Sequence, residues 1–119
     1  MKIKMLRLGI KNIEDTLKDS IDVMKRLEGG QDVTPEKGIY FTSLKAFRKA
    51  LTPKRLALLH TIKATKPTSI NQLAEIAGRD IKNVVEDIKY LEEIGLVERK
   101  KTATTIEVNY DKISLEIAV

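Results

Sequence analysis

The 119-residue chain has no cysteine, no tryptophan and a single histidine, His60. The lack of cysteine excludes disulfides, a thiol nucleophile and every thiolate metal site, and one imidazole is too few for the common zinc and haem arrangements. Long apolar runs are also missing, since nothing approaches the roughly 18 to 20 residues that a membrane helix needs. Met1, Lys2, Ile3 and Lys4 alternate charge with apolar side chains where a signal peptide would be continuously apolar. There is no Walker-type loop, no HExxH and no Gly-x-Ser-x-Gly, and the carboxylates sit beside basic residues at helical spacing, as solvated ion pairs do. The expectation is a cytoplasmic protein that is not an enzyme and has no membrane partner, no metal and no cofactor.

What is present is an ordinary globular composition, 42% hydrophobic and 33% charged, enough for one domain with a modest core. Lys and Arg number 22 against 17 for Asp and Glu, giving a net charge of +5. The excess is uneven: 8 basic and 7 acidic residues precede Ser43, and 14 basic and 10 acidic follow from it. Between Ser43 and Lys66 lie Lys45, Arg48, Lys49, Lys54, Arg55, Lys63 and Lys66 with no acid at all. Such a run is usually a solvated face, but here it leaves a local positive field that a polyanion would meet.

Residues 2–8 alternate like a strand, with lysines that suit a sheet edge. Asn12 caps a helix carrying Glu14 and Asp15 in its first turn, Lys25 and Arg26 in its last, and an apolar stripe of Ile13, Leu17, Ile21, Met24 and Leu27; Gly29 and Gly30 stop it. That stripe suits either its own core or a second copy of the chain. Gln31 to Lys37 reads as a linker and Gly38 to Phe41 as a short extended segment. Ser43 caps a short helix through Ala50, and Thr52-Pro53 opens another whose buried face is Leu56, Leu58, Leu59 and Ile62.

Ser69 with Gln72 three residues on makes a capping box, opening a short helix that ends at Gly78. Asp80 caps a longer one with Ile81, Val84, Val85, Ile88, Leu91 and Ile94 at helical period up to Gly95. Leu96, Val97 and then Thr105 to Tyr110 read as a hairpin, although its tip lacks the Asn-Gly or Asp-Gly of a tight turn. Ile113, Leu115, Ile117 and Val119 alternate as a last strand, to pair with residues 2–8 of the same chain or of a partner. Helix, break, short helix, glycine turn, longer helix and hairpin is the order of a winged helix-turn-helix. The fold expected is α+β and mostly helical, a winged helix-turn-helix over residues 39–119 preceded by an N-terminal strand-helix arm over residues 1–38.

Three positions support the helix pair: Ala74 is small where two helices cross, Gly78 suits a left-handed turn, and Val84 packs into the elbow. The stretches Leu51 to Leu59, Ser69 to Val84 and Asp87 to Val97 together resemble a MarR-like family, in its short archaeal and bacterial branch of DNA-binding regulators. The similarity is clearest over Phe41 to Glu98 and resumes faintly from Val108 to Ile117, where relatives tend to have proline and this chain has Asn109. The resemblance implies a sequence-specific, dimeric repressor of double-stranded DNA and, in some settings, the antitoxin-like member of a toxin pair.

On the residues themselves, the longer helix presents Lys82, Asn83, Glu86, Lys89 and Tyr90 away from its apolar side, a face that a major groove accepts. Asn83 suits adenine, Lys82 and Lys89 suit guanine or phosphate, and Arg79 sits where phosphates gather at a helix start. Glu86 opposes phosphate unless it accepts from a cytosine amino group or is neutralised by Lys82 or Lys89. Asp87 is expected to pair with Arg55 and orient the reading helix instead of touching DNA. Lys100, Lys101, Thr102 and Thr104 form the tip of a wing that is either a DNA contact or an edge-protecting hairpin. Ser69, Asn71, Gln72, Arg48, Lys49, Lys54 and Lys63 are the candidate backbone contacts, Ser69 being first a cap, and His60 has no role. The other reading is a winged-helix module, or an antitoxin, that acts by binding protein, because a fold does not settle a function.

Overall fold

A computed structural model describes residues 4–30, 38–100 and 105–119. The order of elements is β1 (Met5–Ile10), α1 (Ile13–Glu28), β2 (Ile39–Phe41), α2 (Leu44–Ala50), α3 (Pro53–Thr65), α4 (Ile70–Ala77), α5 (Ile81–Ile94), β3 (Glu98–Arg99), β4 (Ile106–Glu107) and β5 (Lys112–Ile117). This is an α+β, mostly helical chain with a winged helix-turn-helix from α2 to β4. The linker expected at Gln31 to Lys37 lies outside the described residues.

Side-chain caps set the helix starts. Asn12, Ser43, Thr52 and Ser69 each accept a hydrogen bond from the backbone N–H three residues on, and Asp80 accepts from that of Lys82. Gln72 closes the α4 box one residue early, because its Oε1 accepts from the N–H and hydroxyl of Thr68 instead of from Ser69. Helix α3 ends on Lys66 in the left-handed region, directly before Pro67.

The core joins α3, α4 and α5 to the sheet: Leu58, Leu59, Ile62, Leu73, Val84, Ile88, Leu91, Leu96, Val97 and Ile106 are all buried, and Leu8 of β1 joins them. Three positions of the expected apolar faces of α3 and α5 are not in it: Leu56, Ile81 and the half-buried Val85. Leu56 is 38% exposed and Ile81 44%, because α3 and α5 each bury a narrower stripe than the full apolar periodicity marks out.

The three-stranded sheet runs β2-β1-β5, with β1 parallel to both neighbours. The expectation of an edge position for the first strand is therefore corrected: β1 is central. The strand starts at Met5, so Lys4 lies ahead of it and the charged pattern that suggested an edge is not in the paired segment. Leu6, Leu8 and Ile10 stand in register with Ile113, Leu115 and Ile117, which places the terminal strands together within one chain. The segment expected as an arm thus supplies the middle of the sheet, while α1 projects with Leu17, Ile21, Met24 and Leu27 all more than half exposed. The side chain of Ile13 lies outside the described residues.

Gly9 sits where Tyr40 crosses β1, and a Cβ there would lie 2.6 Å from the Tyr40 ring. Lys11 Nζ is 4.5 Å from the centre of the same ring. Tyr40 is partly exposed, so Gly9→Ala is expected to swing the ring outward and lose the cation–π contact at a cost of about 1 kcal/mol, read by denaturant unfolding.

The Tyr110 hydroxyl donates to the Leu96 carbonyl at 2.9 Å, tying the lead into β5 to the end of α5. Burial pushes its phenol up to about 12 from 10.0. The folded side chain keeps its proton after an unfolded tyrosine has lost it. The stability this contributes is complete below about pH 10 and is lost as the pH rises toward 12. Tyr110→Phe is expected to flatten the fall of unfolding free energy across that window, and an unchanged slope would contradict the assignment. At the other end of the same lead, Asp111 accepts from the Lys4 N–H at 2.9 Å and sits 3.2 Å from Lys63 Nζ, which together hold its carboxyl below the usual range.

Candidate nucleic-acid interface

Helices α4 and α5 meet across a turn built by Gly78, at φ 64 and ψ 35, whose N–H donates to the Glu75 carbonyl while that of Arg79 donates to Ala74. Ala74 and Val84 are buried at the crossing. The three positions singled out for the helix pair therefore stand where a helix-turn-helix uses them. Nothing lies within 4 Å of a Cβ built on Gly78, so Gly78→Ala tests backbone conformation alone. It is expected to cost about 1–2 kcal/mol with no change in packing, measured by thermal or denaturant unfolding.

Three charged side chains fasten this unit. Arg55 Nε donates to Asp87 Oδ1 at 3.0 Å and Arg79 donates to Asp87 Oδ2 at 2.8 Å. Arg55 also donates to the carbonyls of Lys49 and Ala50, at 2.9 and 3.0 Å. Its guanidinium lies 4.1 Å from the centre of the Tyr90 ring. One carboxylate thus ties the end of α2, the start of α3, the turn and the middle of α5. The expected Arg55–Asp87 pair is present. Two sequence expectations are corrected here: Arg79 turns inward to Asp87 instead of outward to a phosphate, and Tyr90 packs on Arg55 instead of standing on the reading face. The Asp87 carboxylate answers both guanidiniums, one on each oxygen, but Arg79 lies in the turn and Asp87 in the middle of α5, a spacing that no helical period reveals.

With Arg79 and Tyr90 withdrawn, the outward face of α5 is Lys82, Asn83, Glu86 and Lys89, all exposed. Among the described residues no ion pair joins Glu86 to Lys82 or Lys89, so the acid is not neutralised there. Ile81, expected to face inward, opens this face instead. Ser69 is engaged as the α4 cap, Gln72 is held by Thr68, and Asn71 is exposed. Arg48, Lys49 and Lys54 are exposed around α2 and the start of α3. Lys63 is corrected from a candidate backbone contact: its ammonium donates to the Val108 carbonyl at 3.4 Å and pairs with Asp111.

The wing is the antiparallel pair β3–β4. Its described cations are answered within the chain, Arg99 by Glu92 at 2.7 Å and Lys100 by Glu107 at 3.3 Å. Lys101, Thr102 and Thr104 lie outside the described residues. His60 is exposed on α3 and forms no part of the interface.

Helix-turn-helix, buried crossing and wing define the chain as a winged-helix protein. It belongs to the HVO_A0114 family, whose model matches residues 50–115, more than half of the chain. A solved multiple antibiotic-resistance repressor (MarR) from Listeria monocytogenes is similar at 18% identity with a TM-score of 0.46. That alignment covers 80% of this chain and 61% of the repressor's, so the chain spans less than two thirds of the repressor's length. No curated protein matches the sequence. Among the described residues no helix is long and apolar enough to cross a membrane.

Proposed function

We propose that the protein is a sequence-specific, double-stranded DNA-binding transcriptional regulator, acting in the cytoplasm as a dimeric repressor of its own promoter. The observation that carries this reading is the exposed face Lys82, Asn83, Glu86 and Lys89 on a helix held rigidly by the Asp87 network. Side chains of these types recognise base edges in a major groove, and a rigid second helix is what delivers them there. Arg48, Lys49 and Lys54, in the stretch free of acids, supply the positive field that draws the phosphate backbone. Two copies are proposed because one short reading helix covers too few base pairs to be selective.

The test is selection of duplexes from a random pool, followed by titration of variants on the winner. Asn83→Ala is expected to relax preference at one base pair, by about 1–3 kcal/mol. Lys54→Ala is expected to weaken all duplexes alike and to reduce the salt slope by about 1. Equal effects of both variants on selected and random DNA would contradict α5 as the reading helix.

A second reading, docking of a protein such as a toxin, is favoured by the exposure of Ile76 at 46% and Ile81 at 44% beside the turn. Binding that ignores salt and is lost in Ile76→Ser would support it against the DNA reading.

A further inference from the structure

The apolar stripe of α1 and the outer edge of β5 are surfaces of the described chain without a partner. The stripe offers apolar area but nothing that selects an occupant. The strand offers more. β5 is the last strand of the order β2-β1-β5, and no strand pairs with its far side among the described residues. An edge of this length presents a row of unpaired N–H and C=O groups, a template for another strand.

The sequence of β5 is self-complementary in the antiparallel sense. Lys112, Ser114 and Glu116 lie on one face, and Ile113, Leu115 and Ile117 on the other, in register with Leu6, Leu8 and Ile10. Pairing two β5 strands about Ser114 sets Lys112 opposite Glu116 of the second copy, twice by symmetry, and Ile113 opposite Leu115. Opposite charges directly across a pair stabilise it, and like charges oppose it. A shift of the centre to Ile113 or Leu115 loses both ion pairs, and parallel pairing brings Lys112 beside Lys112. The apolar face is also unfinished in one chain, with Leu115 38% and Ile117 52% exposed.

We infer that β5 is an interface between two copies of this chain, paired antiparallel about Ser114 so that two three-stranded sheets become one. The axis stands perpendicular to the joined sheet, so both winged helices lie on the same side of it. The inference names a surface for the dimer proposed above, and its test needs no DNA, so it fails or stands separately from the DNA reading.

The experiment uses the full chain, whose lack of cysteine gives a clean background for single-cysteine variants. Wild type is expected to sediment as a dimer. Lys112→Glu, which turns both attractive pairs repulsive, is expected to raise the dissociation constant about tenfold, and Lys112→Glu with Glu116→Lys to restore it. Under mild oxidation Ser114→Cys is expected to cross-link between chains. Lys112→Cys alone is not, because the two copies of residue 112 stand roughly 14 Å apart in this register, beyond disulfide reach. A mixture of Lys112→Cys and Glu116→Cys chains is expected to cross-link, which keeps the test open if Ser114→Cys fails to fold. A monomeric wild type would overturn the inference. So would Lys112→Cys cross-linking as readily as Ser114→Cys, or a dimer that ignores Lys112→Glu and is lost in Leu17→Asp.

Discussion

Asp87→Ala is expected to destabilise the fold by about 3 kcal/mol and to lower Tm by roughly 10 °C. The carboxylate is 15% exposed and balances Arg55 and Arg79, themselves 19% and 22% exposed. Removing it leaves two partly buried guanidiniums facing each other without a counter-charge, and one nitrogen of Arg79 already lacks a partner among the described residues. Breaking such a set from one side costs more than the pairs contribute, because the remaining charges stay desolvated. Asp87→Asn keeps acceptor geometry at one position and is expected to lose about half as much. Thermal unfolding of the three chains checks this, and an Asp87→Ala chain as stable as wild type would remove the network from the account. The same variant is expected to weaken DNA binding even at temperatures where it is folded, since α5 is no longer held to α3 and the turn.

Ile88→Ala is the second large effect, at about 4 kcal/mol, because a fully buried side chain is cut back in the middle of α5 and the cavity it leaves among the core residues of α3 to α5 cannot fully collapse. Ile81→Ala, one of the same apolar series, is expected to cost less than about 1 kcal/mol, since that side chain is largely in water. Denaturant midpoints of the two variants separate them directly. Equal losses would mean that α5 buries its whole apolar series, as its periodicity alone suggests.

That contrast marks how far the sequence carries. Caps and stops are local chemistry, so Asn12, Ser43, Thr52, Ser69, Asp80, Gly78 and Gly95 place the helix ends from the chain alone. The crossing at Ala74 and Val84 and the Arg55–Asp87 pair are legible because a small residue, a glycine turn and one unmatched acid leave few other arrangements. What is not legible depends on neighbours distant in sequence. The central place of β1 follows from β5 and β2 arriving on either side of it. The inward turn of Arg79 and the stacking of Tyr90 follow from where Asp87 and Arg55 come to rest. Lys63 looks free in the acid-poor stretch because Asp111, its partner, is far along the chain. The proposed reading face is accordingly narrower than the sequence suggests, four exposed side chains on α5 with Ile81 at its start.

The most direct test of the central claim is a titration of the purified protein against the duplex from its own upstream region and against a scrambled duplex, each at two salt concentrations. Tighter binding to the upstream duplex is expected, with that preference surviving at the higher salt while binding to scrambled DNA falls steeply. Absence of binding to either duplex at both salt concentrations would contradict the claim.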